Sequence, residues 1–182
     1  MGHRNLLWLG TQSEDETPSA TVRREHAFIE CVWKMGLHGA SCRIPELAKS
    51  SHKDQWLKAI CTGLRRQLES TAQNPPTAII CFNETMAAGA MQCLTAMGLK
   101  VPENMSLAAF DNHLAPMLNP PLTTIDPGLS ALGTRCFELA IKMLENPGVI
   151  EEMRHHREIL PFKLVVRQST APAPSGLPNL SL

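Results

Sequence analysis

Pro76-Thr77-Ala78-Ile79-Ile80-Cys81-Phe82-Asn83-Glu84 is the stretch that decides the fold class. Asn74, Pro75 and Pro76 stop any helix arriving from upstream. Residues 78–82 are then a continuous apolar run, the pattern of a strand covered on both faces. Asn83 is a helix-capping residue type, and Glu84 suits the positive end of a helix dipole. Residues 85–97 carry helical periodicity, which Gly98 closes. A buried strand leading into a helix is one unit of an α/β sheet.

The same unit recurs in both directions. Upstream, residues 6–9 read as a strand and 10–19 as a polar loop. A helix over 20–35 buries Val22, Phe28, Val32 and Met35 and ends at Gly36. Residues 41–44 form a weaker strand. Ser50 and Ser51 are candidate caps for a helix carrying Trp56, Leu57, Ile60, Leu64 and Leu68. Downstream, strands are expected at 106–110 and 122–125, separated by a loop over 111–121. An amphipathic helix follows at 129–144, then one or two strands over 159–166, interrupted at Pro161. The expected class is α/β, a parallel sheet flanked by helices. Residues 171–182, rich in Pro, Ser, Ala and Gly, read as a disordered tail.

Composition narrows the function. With 43% hydrophobic and 19% charged residues over 182 positions, the chain can bury one main core. A formal net charge of +0 gives no field that would draw in a phosphate backbone. No apolar stretch approaches the roughly 20 residues needed to span a bilayer, and residues 1–10 lack the makings of an export signal, so a cytoplasmic protein without membrane contact is expected. Cys31, Cys42, Cys61, Cys81, Cys93 and Cys136 show no metal-ligand spacing and read as buried free thiols. His155 and His156, between Arg154 and Arg157, read as a solvated basic stretch. No cofactor or metal is expected.

Four segments together resemble the LacI/GalR family of bacterial transcription regulators. They are Gly2-His3-Arg4 with Arg24-Glu25-His26-Ala27-Phe28; residues 76–84 with Ala87, Gly89 and Ala90; Gly98-Leu99-Lys100-Val101-Pro102-Glu103-Asn104-Met105-Ser106-Leu107 with Phe110-Asp111; and Pro120-Pro121-Leu122-Thr123-Thr124-Ile125 with Leu132-Gly133. The resemblance covers residues 2–169 and implies a periplasmic-binding-protein-like sensor. Residues 1–170 would be an effector-binding fragment, with the second lobe at 2–126 and 157–169 and a helix at 129–145 belonging to the first lobe. Much of that first lobe would be missing, as would the helix-turn-helix head through which the family binds DNA. Family dimers imply contacts from Ala87, Ala88, Met91, Met117 and Leu118. Without its sheet partner, the helix at 129–144 would expose an apolar stripe of Leu132, Cys136, Leu139, Ala140 and Met143. It would then fold back, pair with another copy or leave the chain marginally stable.

The resemblance also implies that Arg24, Asn83 and Asp111 contact a small-molecule effector such as a sugar or sugar acid. Chemistry supports the trio: an amide offers donors and an acceptor, a carboxylate accepts, and a guanidinium donates through a planar fork. Ligands in open α/β sheets bind beyond the carboxyl ends of strands, where Asn83 and Asp111 lie. Each residue has a plainer reading: Asn83 as a helix cap, Asp111 as a turn former with Asn112, Arg24 as a solvated charge. Pro45-Glu46-Leu47 stands where many members carry an aromatic platform. His26 reads as a surface or packing residue. No nucleophile–base pair, phosphate loop or paired catalytic carboxylates appear, which argues against an enzyme. A periplasmic-type sugar-binding protein of the same fold is the other alternative.

Overall fold

A computed structural model describes residues 1–12, 19–45, 53–71 and 73–176. Its six-stranded sheet runs in the order β2-β1-β3-β4-β5-β6. The strands are β1 (Asn5–Gln12), β2 (His38–Pro45), β3 (Ala78–Cys81), β4 (Ser106–Phe110), β5 (Thr123–Asp126) and β6 (Lys163–Val165). The helices are α1 (Ala20–Lys34), α2 (Lys53–Ser70), α3 (Glu84–Ala96), α4 (Leu129–Glu145) and α5 (Val149–Met153). Strands β1 to β5 are parallel, as expected. The edge strand β6 is antiparallel to β5, with Asp126 opposite Lys163. The chain leaves β5 through α4 and α5 and comes back to the same edge, so no crossover over the sheet is needed.

Alternate residues of each strand face opposite layers. Leu7, Leu9, Ile79, Cys81, Leu107 and Ala109 join the main core with Ile60, Leu64 and Leu68 of α2 and Met86, Ala90 and Leu94 of α3. Trp8 faces the other way, packed with Phe28 and Val32 of α1, and Ile80, Phe82 and Phe110 border that smaller cluster. Each fully buried Leu or Ile contributes about 1.5–3 kcal/mol. Helices α2 and α3 approach closely at Gly89, where an added Cβ would stand 2.7 Å from Ile60 Cδ1 and 3.0 Å from the Trp56 ring.

Several features differ from the sequence-based expectations. The strand expected at 6–9 extends to Gln12, because all eight residues of β1 find partners on β2. Helix α5, too short to show a period, was not expected. Cys61 and Cys93 form a disulfide between α2 and α3, where free thiols were expected; Cys31 and Cys136 are free and exposed, and only Cys42 and Cys81 are free and buried. A pairing across two helices leaves no mark in local spacing.

Helix α4 buries none of its residues. Its apolar side chains stay open to solvent, with Phe137 68% and Leu144 76% exposed. Of the outcomes expected for this helix, folding back onto the lobe is not the one observed. Arg135 of α4 pairs with Glu158 at 2.8 Å, tying the helix to the returning strand's approach. At the base of the excursion, Gly128 lies against the Pro161 carbonyl. Part of the segment composed like a tail is fastened down: Ala171 N–H donates to Ser106 Oγ, and Ala173 N–H to the Met1 carbonyl. Residues 177–182, the rest of that segment, lie outside the described residues, as do Ser50, Ser51, Glu46 and Leu47.

Candidate functional site

Because β1 to β5 are parallel, their carboxyl ends share one rim. The strand order reverses between β1 and β3, and the connections from those strands lead to opposite faces: α1 on one, α3 on the other. This switch point is where open α/β sheets leave a crevice for ligands.

Arg24 reaches the switch point from the first turns of α1, a helix capped by the Ser19 side chain. Its Nη1 donates to the Phe82 carbonyl at 2.9 Å and its Nη2 to Asp111 Oδ1 at 3.3 Å. The guanidinium lies over the Phe110 ring, 4.5 Å from its centroid, and 5.4 Å from that of Phe82. It is not a solvated charge. Two aromatic faces and two acceptors hold it in one orientation, which leaves a planar donor group at the sheet rim.

Asn83 follows the carbonyl that Arg24 grips. Its Oδ1 accepts the Met86 N–H at 2.8 Å, so the capping role is realised. Capping uses the oxygen and leaves the amide Nδ2 as a donor not used by the cap. Asp111 and Asn112, immediately after β4, have φ of 103° and 57°. These left-handed residues turn the chain sharply at the rim, so the turn-forming reading of Asp111 holds alongside its pairing with Arg24. Of the three residues singled out from sequence, Arg24 and Asp111 are in direct contact, and Asn83, the cap of α3, follows the Phe82 carbonyl that Arg24 holds.

Further polar residues support that corner without having been singled out. Glu84 is 3% exposed, and its Oε2 accepts the N–H groups of His113 and Leu114. It is thus more than a residue favouring the helix dipole: it anchors the loop after Asp111. Its Oε1 is buried and has no hydrogen-bond partner in the structure. Asn112 donates to Asp126 Oδ2 at 2.9 Å and accepts from Arg167 Nη2 at 2.6 Å. Asp126 also accepts the Gly128 N–H, and that bond, followed by the Asn112 amide, holds its carboxyl below the ordinary range. Glu25, next to Arg24 in sequence, turns the other way and pairs with Arg43 at 2.9 Å. The sequence signals for this scaffold were Asn112 beside Asp111 and an acidic Glu84 at the start of a helix.

Beneath Arg24 runs an apolar cleft of about 350 Å³, floored by Trp8, Ile80 and Phe110 and walled by Phe28 and Val32 of α1. A larger cleft of about 610 Å³ is lined by residues 98–103, Asn119, Pro120 and Gln168. It includes none of Arg24, Asn83 and Asp111.

The dimer-contact expectations divide. Ala87 and Met91 are buried in the chain's own core, and Leu118 packs against it. Ala88 is half-buried, and Met117 stands 72% exposed. Ala87 and Met91 therefore offer almost no free surface. Helix periodicity alone does not distinguish a core face from an interface face.

Comparison with known proteins agrees with this fold. The family model described as "Periplasmic binding protein-like domain" matches residues 1–170. The chain belongs to that family. Among curated relatives of this periplasmic binding protein-like domain, the HTH-type transcriptional repressor PurR of Vibrio vulnificus (strain CMCP6) is 37% identical over 100 residues, covering 53% of the chain and 28% of the relative. The HTH-type transcriptional regulator DegA of Bacillus subtilis (strain 168) is 39% identical over 101 residues, covering 55% and 29%. The chain thus spans under a third of the length of these relatives. A solved LacI family transcriptional regulator from Bifidobacterium animalis subsp. lactis superposes with a TM-score of 0.71 at 23% identity, over 94% of this chain and 57% of that one. One from Arthrobacter sp. FB24, in complex with lactose, gives 0.71 at 25% identity, over 93% and 59%. The LacI-type resemblance read from the sequence is borne out, and these relatives are regulators by name, not enzymes.

Proposed function

We propose that this periplasmic binding protein-like domain is one wall of the effector-binding site of a LacI-type transcription regulator, with Arg24, Asn83 and Asp111 recognising a sugar or sugar acid. The observation that carries this reading is that the Arg24 guanidinium, held against the Phe110 ring, bonds both the Phe82 carbonyl, one residue before Asn83, and the Asp111 carboxylate just beyond β4. A hydroxyl-rich ligand needs donors and acceptors held in place beforehand, and the aromatic clamp on Arg24 supplies that order without a reactive group. Structural neighbours solved with lactose and, in Enterococcus faecium, with bound ribose favour a sugar. Regulation would follow from differential affinity. Ligand in the cleft stabilises one arrangement of lobes and subunits in a homodimer, and a helix-turn-helix head outside these 182 residues grips or releases DNA accordingly. The cytoplasm is the compartment such a regulator works in.

Calorimetric titration with a panel of sugars, sugar acids and purines tests the reading. At least one compound is expected to bind. Asp111→Gly, which keeps the positive φ at no steric cost, should weaken it about tenfold or more by removing a charge-assisted acceptor. Unchanged affinity in Asp111→Gly and Asn83→Ala would place the site elsewhere.

A further inference from the structure

Cysteines in this chain fall into two chemical groups. Cys42 and Cys81 are free and buried under α2; burial pushes the Cys42 thiol up to about 11 and the Cys81 thiol up further, which leaves both as unreactive thiols. Cys61 and Cys93 are different. They join α2 to α3 across 32 positions, with Cα atoms 5.1 Å apart, at the floor of a groove of about 260 Å³ that opens to solvent. Arg65, Arg66 and Glu69 line the same groove, so its mouth carries a net positive charge. The two sulfurs are unequally placed: Cys61 is half-buried at the groove, whereas Cys93 is 0% exposed. Cys93 Sγ also lies 3.7 Å from the Leu57 carbonyl oxygen. On reduction, that oxygen would stand within reach of the Cys93 S–H as an acceptor.

We propose that Cys61–Cys93 is a reversible thiol–disulfide exchange site whose reaction partner is a small anionic thiol or its disulfide, of the glutathione class, entering between α2 and α3. In the oxidising direction the Cys61 thiolate attacks one sulfur of the small disulfide. A mixed disulfide forms and one small thiolate leaves. Cys93, losing its proton, then attacks Cys61 Sγ; the α2–α3 bond forms and the second small thiolate leaves. The two protons lost by the cysteines are taken up by the two departing thiolates, and the electron pair lost by Cys61 and Cys93 reduces the small disulfide. Reduction runs the same steps backwards. The guanidinium groups of Arg65 and Arg66 favour the Cys61 thiolate and draw in a carboxylate-bearing partner. The site is separate from the Arg24 corner, and its test does not depend on any effector.

The experiment uses the 182-residue chain with Cys31→Ser and Cys136→Ser, which removes the exposed thiols. Incubation across a series of reduced-to-oxidised glutathione ratios, quenching with iodoacetamide and intact-mass analysis should show two alkylated cysteines appearing together as the buffer becomes reducing. Peptide mapping should assign them to Cys61 and Cys93. In Cys93→Ser, oxidised glutathione should leave a single glutathione on Cys61; in Cys61→Ser, none should appear on Cys93. Arg65→Glu with Arg66→Glu should slow oxidation by glutathione disulfide about threefold or more at low salt, and leave oxidation by neutral hydroxyethyl disulfide unchanged. The proposal is overturned if the bond resists millimolar reduced glutathione in the folded protein, if it fails to form in oxidised glutathione, or if glutathione attaches to Cys93 first. Equal slowing with both disulfides would overturn the role given to the arginines.

Discussion

Asp111 and Glu84 divide the work at the rim, one partly exposed and paired with Arg24, the other buried beneath it. Glu84 holds the His113 and Leu114 N–H groups with one oxygen and strands the other, so its carboxylate is the main tie between α3 and the loop after β4. Hydrogen bonds to a charged group contribute about 1.5–3 kcal/mol each, and removing the acceptor leaves both donors unmade. Glu84→Ala should therefore cost about 3 kcal/mol in urea denaturation and Glu84→Gln about 1–2 kcal/mol; a loss below about 0.5 kcal/mol in both would refute the anchoring role. The Arg24–Asp111 pair is about one-third exposed, so its own worth to stability is about 1 kcal/mol or less. Asp126 carries a pH dependence. Its folded carboxyl is held below the ordinary 3.8, so its contribution is complete above that value and drains away as pH falls below it. Hydrogen exchange at Gly128, whose N–H donates to Asp126, should speed up below about pH 4, and Asn112→Ala should move that onset upward. A pH-independent rate beyond the intrinsic chemistry would contradict it.

At the scale of elements, the strand–helix alternation was legible best at β3 and β4, short apolar runs followed directly by Asn83 and Asp111. Phe82-Asn83 and Phe110-Asp111 gave the rim residues, and Gly36 and Gly98 marked helix ends that the structure places at φ of 62° and 74°. Other features depend on contacts distant in sequence. The Glu25–Arg43 pair, the Asn112–Asp126–Arg167 links and the Cys61–Cys93 bond join residues 18, 14, 55 and 32 positions apart, where local periodicity carries no information. The exposed face of α4 was legible as a stripe, since its period is regular even where nothing covers it. An apolar helix face left in water drives association, so the chain should self-associate with rising concentration in sedimentation velocity. Phe137→Glu with Leu144→Lys should abolish that association while changing unfolding free energy by less than about 0.5 kcal/mol. Persistence of the same oligomer in the double variant would exclude the Phe137–Leu144 side of α4 as the contact.

Seen as a whole, the molecule is a sheet with two dissimilar covers. Helices α2 and α3 cover the main core on one face. Helix α1 covers the other only beside β1 and β2, leaving an open apolar cleft under Arg24. The rim at the switch point is where the main core, the open cleft and the polar trio meet, and the sensor account stands on that trio acting together on one metabolite. The most direct measurement is a nuclear magnetic resonance titration of the chain with a sugar that binds, following the Arg24 side-chain Nε–H and Asn83 side-chain amide signals together with backbone amides 109–113. The account predicts saturable shifts of all three groups with one dissociation constant. Saturable binding that moves the amides around residues 98–103 and leaves Arg24 and Asn83 still would contradict it.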